Sequence, residues 1–170
     1  MNFRAARLAM VESQIRPNGV RDPRILDLFA RIPREEFVPE RQKALAYIDE
    51  TLTVVPASGG SPPRSLLPPM VLARMLQFAA PASTDRALDI GGITGYSAAI
   101  LAGLCGKIDA LESSEALAAE MSRYLQAAGI ADIAVHCGPL EKGWEESAPY
   151  DLILLNGAVT REPKDLYAQL

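Results

Sequence analysis

The chain has 170 residues, 49% of them hydrophobic and 22% charged, with a formal net charge of −4. That is the make-up of an ordinary globular domain with room for a sizeable core, and the acidic balance argues against a nucleic-acid partner, which would call for a basic face. Two cysteines and one histidine are too few for a structural zinc site, which takes about four Cys or His ligands.

In chain order, residues 1–10 carry Arg4 and Arg7 but no continuous apolar stretch, so no signal peptide is read. Phe3, Ala6, Met10 and Val11 fall on one face of a first helix. Asp22 is placed to cap a second, with Pro23 at its first position. Ile25, Leu28, Phe29 and Ile32 give that helix its apolar stripe, and Pro33 ends it. The arginines up to Arg34 alternate with acids, as on a solvated mixed-charge surface. Residues 56–69, rich in Pro, Gly and Ser, read as one long loop, either a lid over a substrate or a segment without fixed structure.

From residue 86 strands and helices alternate: Arg86–Ile90 strand, 96–104 helix, Lys107–Glu112 strand, 115–128 helix ending at Gly129, Ile133–Cys137 strand and 150–156 strand. Leu152, Ile153, Leu154 and Leu155 are consecutive apolar residues, as in a strand covered on both faces. The alternation predicts right-handed crossovers and a doubly wound, mostly parallel sheet. No apolar run reaches the roughly 20 residues of a membrane span, so no membrane partner is expected. Cys105 and Cys137 form no CxxC pair and read as small reduced thiols, which suits a cytoplasmic protein.

The segment Leu88-Asp89-Ile90-Gly91-Gly92-Ile93-Thr94-Gly95-Tyr96 sets a glycine cluster between a strand and a helix. Glycine there allows a tight turn and lets the backbone approach a ligand. Glu112 ends the next strand about 20 residues on, where an acid in a nucleotide-binding sheet accepts ribose hydroxyls. The plainer reading is a tight turn with Glu112 capping a helix. No Gly-Lys-Ser/Thr follows the cluster, which removes a P-loop, and no tyrosine has a lysine four residues later. His136 sits inside a strand, more in keeping with a satisfied strand histidine than with a Ser-His-Asp base. What remains is an adenosyl ligand without a pyrophosphate, which suits S-adenosylmethionine. Asn156-Gly157-Ala158 reads as a turn, or as a border of an acceptor pocket. Trp144 reads as an anchor over the segment leading into the fourth strand.

Several ordered motifs resemble the protein-L-isoaspartate O-methyltransferase family across essentially the whole chain. They are Met10-Val11-Glu12-Ser13-Gln14-Ile15, Arg21-Asp22-Pro23-Arg24-Ile25-Leu26, Ile32-Pro33-Arg34-Glu35-Glu36-Phe37-Val38-Pro39 and Ala46-Tyr47-Ile48-Asp49. Pro69-Met70-Val71-Leu72-Ala73-Arg74-Met75, the glycine turn, Glu112 and Ala148-Pro149-Tyr150-Asp151 follow in the family's order. The resemblance implies one Rossmann-like S-adenosylmethionine-dependent methyltransferase domain over residues 1–170 with a helical N-terminal extension. Its substrates would be damaged proteins or peptides carrying L-isoaspartate; the oligomeric state is left open. It implies cofactor binding by Asp89, Gly91, Gly92, Thr94, Gly95, Glu112 and Gly138, and a role for Ser65 at the acceptor.

The sequence departs from the family's pattern at four places. Leu67 stands where the active-site loop has serine, leaving Ser65 at the threonine place. Ile93 replaces the middle glycine of the turn, an awkward residue if φ is positive there. Gly138-Pro139-Leu140 stands where Gly-Asp-Gly is usual, losing an acid and a backbone donor. The outer strands of the family's sheet are not read before Leu170. Beside a working enzyme stand two further readings: a catalytically inactive binding module on the same scaffold, and a methyltransferase for another acceptor.

Overall fold

In a computed structural model describing residues 1–170, helix α1 (Phe3–Met10) begins at Asn2, whose side-chain oxygen accepts the Ala5 N–H at 3.1 Å. It runs into a π-helical turn, Val11–Ile15, that keeps Val11 and Ile15 buried after Met10. Asp22 caps helix α2 (Pro23–Arg31) by accepting the Arg24 N–H at 2.9 Å, with Pro23 in the first turn as the sequence predicts. Ile25, Leu28 and Phe29 are its core stripe. It stops one residue short of Ile32, which is extended because a residue before proline is pushed out of the helical region.

The expected loop over 56–69 is corrected. Strand β1 (Leu52–Val55) pairs antiparallel with β2 (Arg64–Leu66), so three residues of the expected loop form a strand. The Pro and Gly residues that dominate the composition fall in the connection and around β2, where they remove no hydrogen bond from a central strand. Helix α3 (Pro69–Ala79) follows, and the Asp49 carboxylate accepts the Met70 N–H at 3.1 Å in its first turn. These elements form one compact unit, Met1–Ala80; Pro81–Leu170 form a second.

The second unit holds β3 (Arg86–Ile90), α4 (Tyr96–Ala102), β4 (Lys107–Glu112), α5 (Glu115–Ala127), β5 (Ile133–Cys137), β6 (Leu152–Leu155) and a short α6 (Lys164–Tyr167). Strands lie in the order β5-β4-β3-β6, all parallel. The helix expected over 96–104 ends at the cap Gly103, and the strand expected over 150–156 narrows to its four leucine and isoleucine residues. α5 ends at Ala127, one residue before the expected end, with Ala128 as its cap and Gly129 at φ 75° just beyond.

Side chains alternate along each strand, so the register divides the sheet into two faces. Ala87, Asp89, Ile108, Ala110 and Glu112 share the face on which α4 packs. Leu88, Ile90 and Leu111 share the other, covered by Tyr150, Leu166 and Trp144. After β3, β4 and β5 have stepped outward, the chain crosses back and lays β6 on the other side of β3. The carboxyl end of β3 therefore lies at a topological switch point, the position where such sheets hold ligands.

Candidate functional site

The turn after β3 is shaped by its backbone angles. Gly91, Ile93 and Gly95 have φ of 73°, 60° and 85°. Glycine reaches that region freely; an isoleucine held there, buried at 2% exposure, is strained. Gly92 answers to space instead, since a Cβ on it would collide with Asp89 Oδ2 and stand 2.9 Å from Ser97 Oγ. A Cβ on Gly95 would sit 3.0 Å from Leu125 of α5. Thr94 is fully buried and its hydroxyl has no hydrogen-bond partner.

Two acids of the same sheet face meet this turn. Glu112 is fully buried; its Oε1 accepts the Ile93 N–H at 2.7 Å and its Oε2 the Ser113 N–H at 3.1 Å. It is not the cap of α5, since Ser114 does that by accepting the Leu117 N–H. Asp89 is also fully buried. Its Oδ2 accepts the Ser97 hydroxyl at 2.8 Å and its Oδ1 the Asn156 side-chain amide at 2.7 Å. Burial pushes its carboxyl up to about 7, the Glu112 charge adding to the rise while Asn156 and Ser97 oppose it. Gly138 closes the edge, donating its N–H to the Glu112 carbonyl at 2.9 Å. Beside it, the Cys137 thiol is raised by burial first and then by Glu115 and Glu112.

The structure thus gathers Asp89, Gly91, Gly92, Thr94, Gly95, Glu112 and Gly138 at one edge of one sheet. Ser65 lies in the other unit, on β2, with its hydroxyl 3.0 Å from that of Thr53. Neighbouring Leu67 is held by its backbone: the buried Arg34 donates from Nη2 to the Leu67 carbonyl at 2.8 Å and from Nε to that of Ala46 at 2.9 Å. Sequence reasoning missed Asn156 and Ser97 as partners of Asp89. The available signal was that an acid inside an apolar central strand needs donors from its neighbours.

The opposite face carries a second polar group. His136 Nε2 lies 2.6 Å from Asp109 Oδ1 and its ring stacks on Trp144 at 4.2 Å. The Ser147 hydroxyl donates to the same Asp109 oxygen at 3.3 Å rather than to the imidazole. With no serine on the histidine, this is a satisfied strand histidine and not a nucleophile and base.

The cofactor-type donor set fits an adenosyl group in three respects. A glycine-shaped backbone can approach a ligand, an acid ends the neighbouring strand, and a buried hydroxyl lacks a partner. Pro139 offers no N–H on the far side.

A family model described as protein-L-isoaspartate(D-aspartate) O-methyltransferase matches residues 6–170. Protein-L-isoaspartate O-methyltransferase of Roseiflexus sp. (strain RS-1) is 36% identical over 170 residues, covering 100% of this chain and 75% of the relative. Protein-L-isoaspartate O-methyltransferase 1 of Rhodopseudomonas palustris (strain HaA2) is 37% identical, over 99% of this chain and 66% of its own length. Among solved structures, a protein-L-isoaspartate O-methyltransferase superposes with a TM-score of 0.79 at 26% identity. That match takes in 98% of this chain, which spans 51% of that structure's chain.

Proposed function

Because the chain belongs to the protein-L-isoaspartate(D-aspartate) O-methyltransferase family, we propose that it transfers a methyl group from S-adenosylmethionine to the α-carboxylate of L-isoaspartyl residues in damaged proteins. The observation that carries this reading is the meeting of the glycine turn with Glu112, the acid at the end of the adjacent strand, through the 2.7 Å bond from the Ile93 N–H.

When bound, the cofactor supplies an electrophilic methyl on a sulfonium. The acceptor is a carboxylate, already ionised and nucleophilic at neutral pH, so the protein's part is placement in line with the methyl. A strong general base is not required of these residues. Glu112 would accept ribose hydroxyls beside the Ile93 N–H, once the turn opens around a carboxylate that is fully buried. The backbone of the turn at 91–95 would hold the cofactor, with the partnerless Thr94 hydroxyl behind it. On the acceptor side, Ser65 is the hydroxyl offered to the substrate carboxylate, and Leu67 offers only its backbone. No helix is long and apolar enough to cross a membrane, and the reading places this work on damaged proteins in the cytoplasm.

Calorimetric titration with S-adenosylhomocysteine tests the cofactor half, and mass-spectrometric methylation of an isoaspartyl peptide tests the acceptor half. Micromolar binding, lost in Glu112→Ala, together with a gain of one methyl on the isoaspartyl peptide and none on its aspartyl twin, is the expected result. Binding without turnover makes the chain a non-catalytic adenosyl binder. Methylation of other proteins but not of the isoaspartyl peptide makes it a methyltransferase for another acceptor. Absence of binding by a protein that melts cooperatively refutes the reading.

A further inference from the structure

Asn156 follows β6 immediately, and alternation sends its side chain to the face shared by Asp89 and Glu112. Its backbone N–H donates to the Ile90 carbonyl at 2.9 Å, the last rung between β6 and β3. Its amide donates to Asp89 Oδ1 at 2.7 Å and to the same Ile90 carbonyl at 3.2 Å. The other Asp89 oxygen takes the Ser97 hydroxyl and sits where a side chain at residue 92 would otherwise be. One carboxylate thus ties β6 to α4 and shapes the turn between them.

We propose that Asn156 is a positioning residue for the cofactor turn, acting through Asp89 rather than by touching the methyl acceptor; this rests on the adenosyl site proposed above. An ionised Asp89 can accept from Asn156 and Ser97 at once. A protonated one loses the charge that strengthens both bonds and carries a proton of its own to place, which weakens the tie across the turn. The groups facing Asp89 are the Asn156 amide from β6, the Ser97 hydroxyl and Ala98 N–H from α4, and the Glu112 carboxylate from β4. Of these, Asn156 does most to hold the ionised form, and only Glu112 opposes it. Its removal therefore shifts Asp89 towards the neutral form. The pH dependence of ligand affinity then reports the hold of Asn156 on Asp89.

The test follows the Asp89 carboxyl by carbon NMR and, separately, S-adenosylhomocysteine affinity between pH 6 and 9. The proteins are wild type, Asn156→Ala, Asp89→Asn and the double variant. In wild type, affinity should fall as the pH drops through about 7. Losing one charge-assisted hydrogen bond should raise the carboxyl midpoint of Asn156→Ala by about one pH unit. The same variant should bind about fivefold more weakly at pH 7 and recover by pH 9. Asp89→Asn should bind without the pH step and make the Asn156 substitution nearly silent. An unmoved Asp89 midpoint, or a loss of affinity that is equal at every pH, overturns the proposal. Should wild type bind at no pH, the cofactor reading and the positioning role fall together, while the carboxyl titration still decides whether Asn156 controls Asp89.

Discussion

Ile93 offers the sharpest check on the turn, because its backbone and its side chain make opposite demands. At φ 60° a non-glycine residue carries roughly 1–2 kcal/mol of strain. Yet the side chain is 2% exposed, and emptying such a site costs about 2–5 kcal/mol. Ile93→Ala and Ile93→Gly both empty it, so each should lower stability by several kcal/mol. The difference between them isolates the backbone. Where φ is negative, glycine is worse than alanine by about 0.5–1 kcal/mol. Here the order should reverse, with Ile93→Gly the more stable by about 1 kcal/mol, or about 2–4 °C in melting temperature for a protein of this size. Urea unfolding of both variants, followed by circular dichroism, measures it. An alanine variant as stable as the glycine variant, or more so, would refute the left-handed conformation of Ile93 and the strain inferred from it.

Three further outcomes follow from buried groups. Asp89 binds its proton more tightly folded than unfolded, so its contribution favours folding at low pH and fades as the pH rises from about 4 to about 7. A three-unit rise corresponds to ~4 kcal/mol at most; Asp89→Asn should therefore gain stability relative to wild type between pH 5 and pH 8, and a constant difference in urea midpoints across that range would contradict the assignment. Arg34→Met leaves the Ala46 and Leu67 carbonyls without their guanidinium donor and should lose ~2–4 kcal/mol, with faster amide exchange in the β1–β2 hairpin; a hairpin with unaltered protection would show that Arg34 does not hold it. His136→Leu strips Asp109 of its 2.6 Å partner and should cost ~2–4 kcal/mol, whereas Asp109→Asn keeps an acceptor and should cost far less; equal thermal shifts would show that the bond contributes little.

Legibility varied with how local the cause was. Asp22 and Pro23 mark the start of α2 by chemistry that spans three residues, and the run 152–155 marks β6 by hydropathy alone. The glycine turn and Glu112 were readable because their spacing follows from one βαβ unit. β2 was hidden because Arg64–Leu66 lies among prolines and is a strand only through its partner β1. The bond from Asn156 to Asp89 joins residues 67 apart in sequence, and only strand order brings them together. The burial of Arg34 was equally unreadable, since an arginine in a mixed-charge stretch looks like surface until its carbonyl partners are known.

The grip of Arg34 on Leu67 has an evolutionary consequence. A carbonyl oxygen is common to all twenty amino acids, so a guanidinium that holds residue 67 by its main chain is indifferent to the side chain there. The frame of this segment and the chemistry of the side chain at 67 are thereby inherited separately. Mutation can exchange one side chain for another at 67 without unmaking the scaffold, and a lineage can vary the chemistry it presents there while every copy still folds.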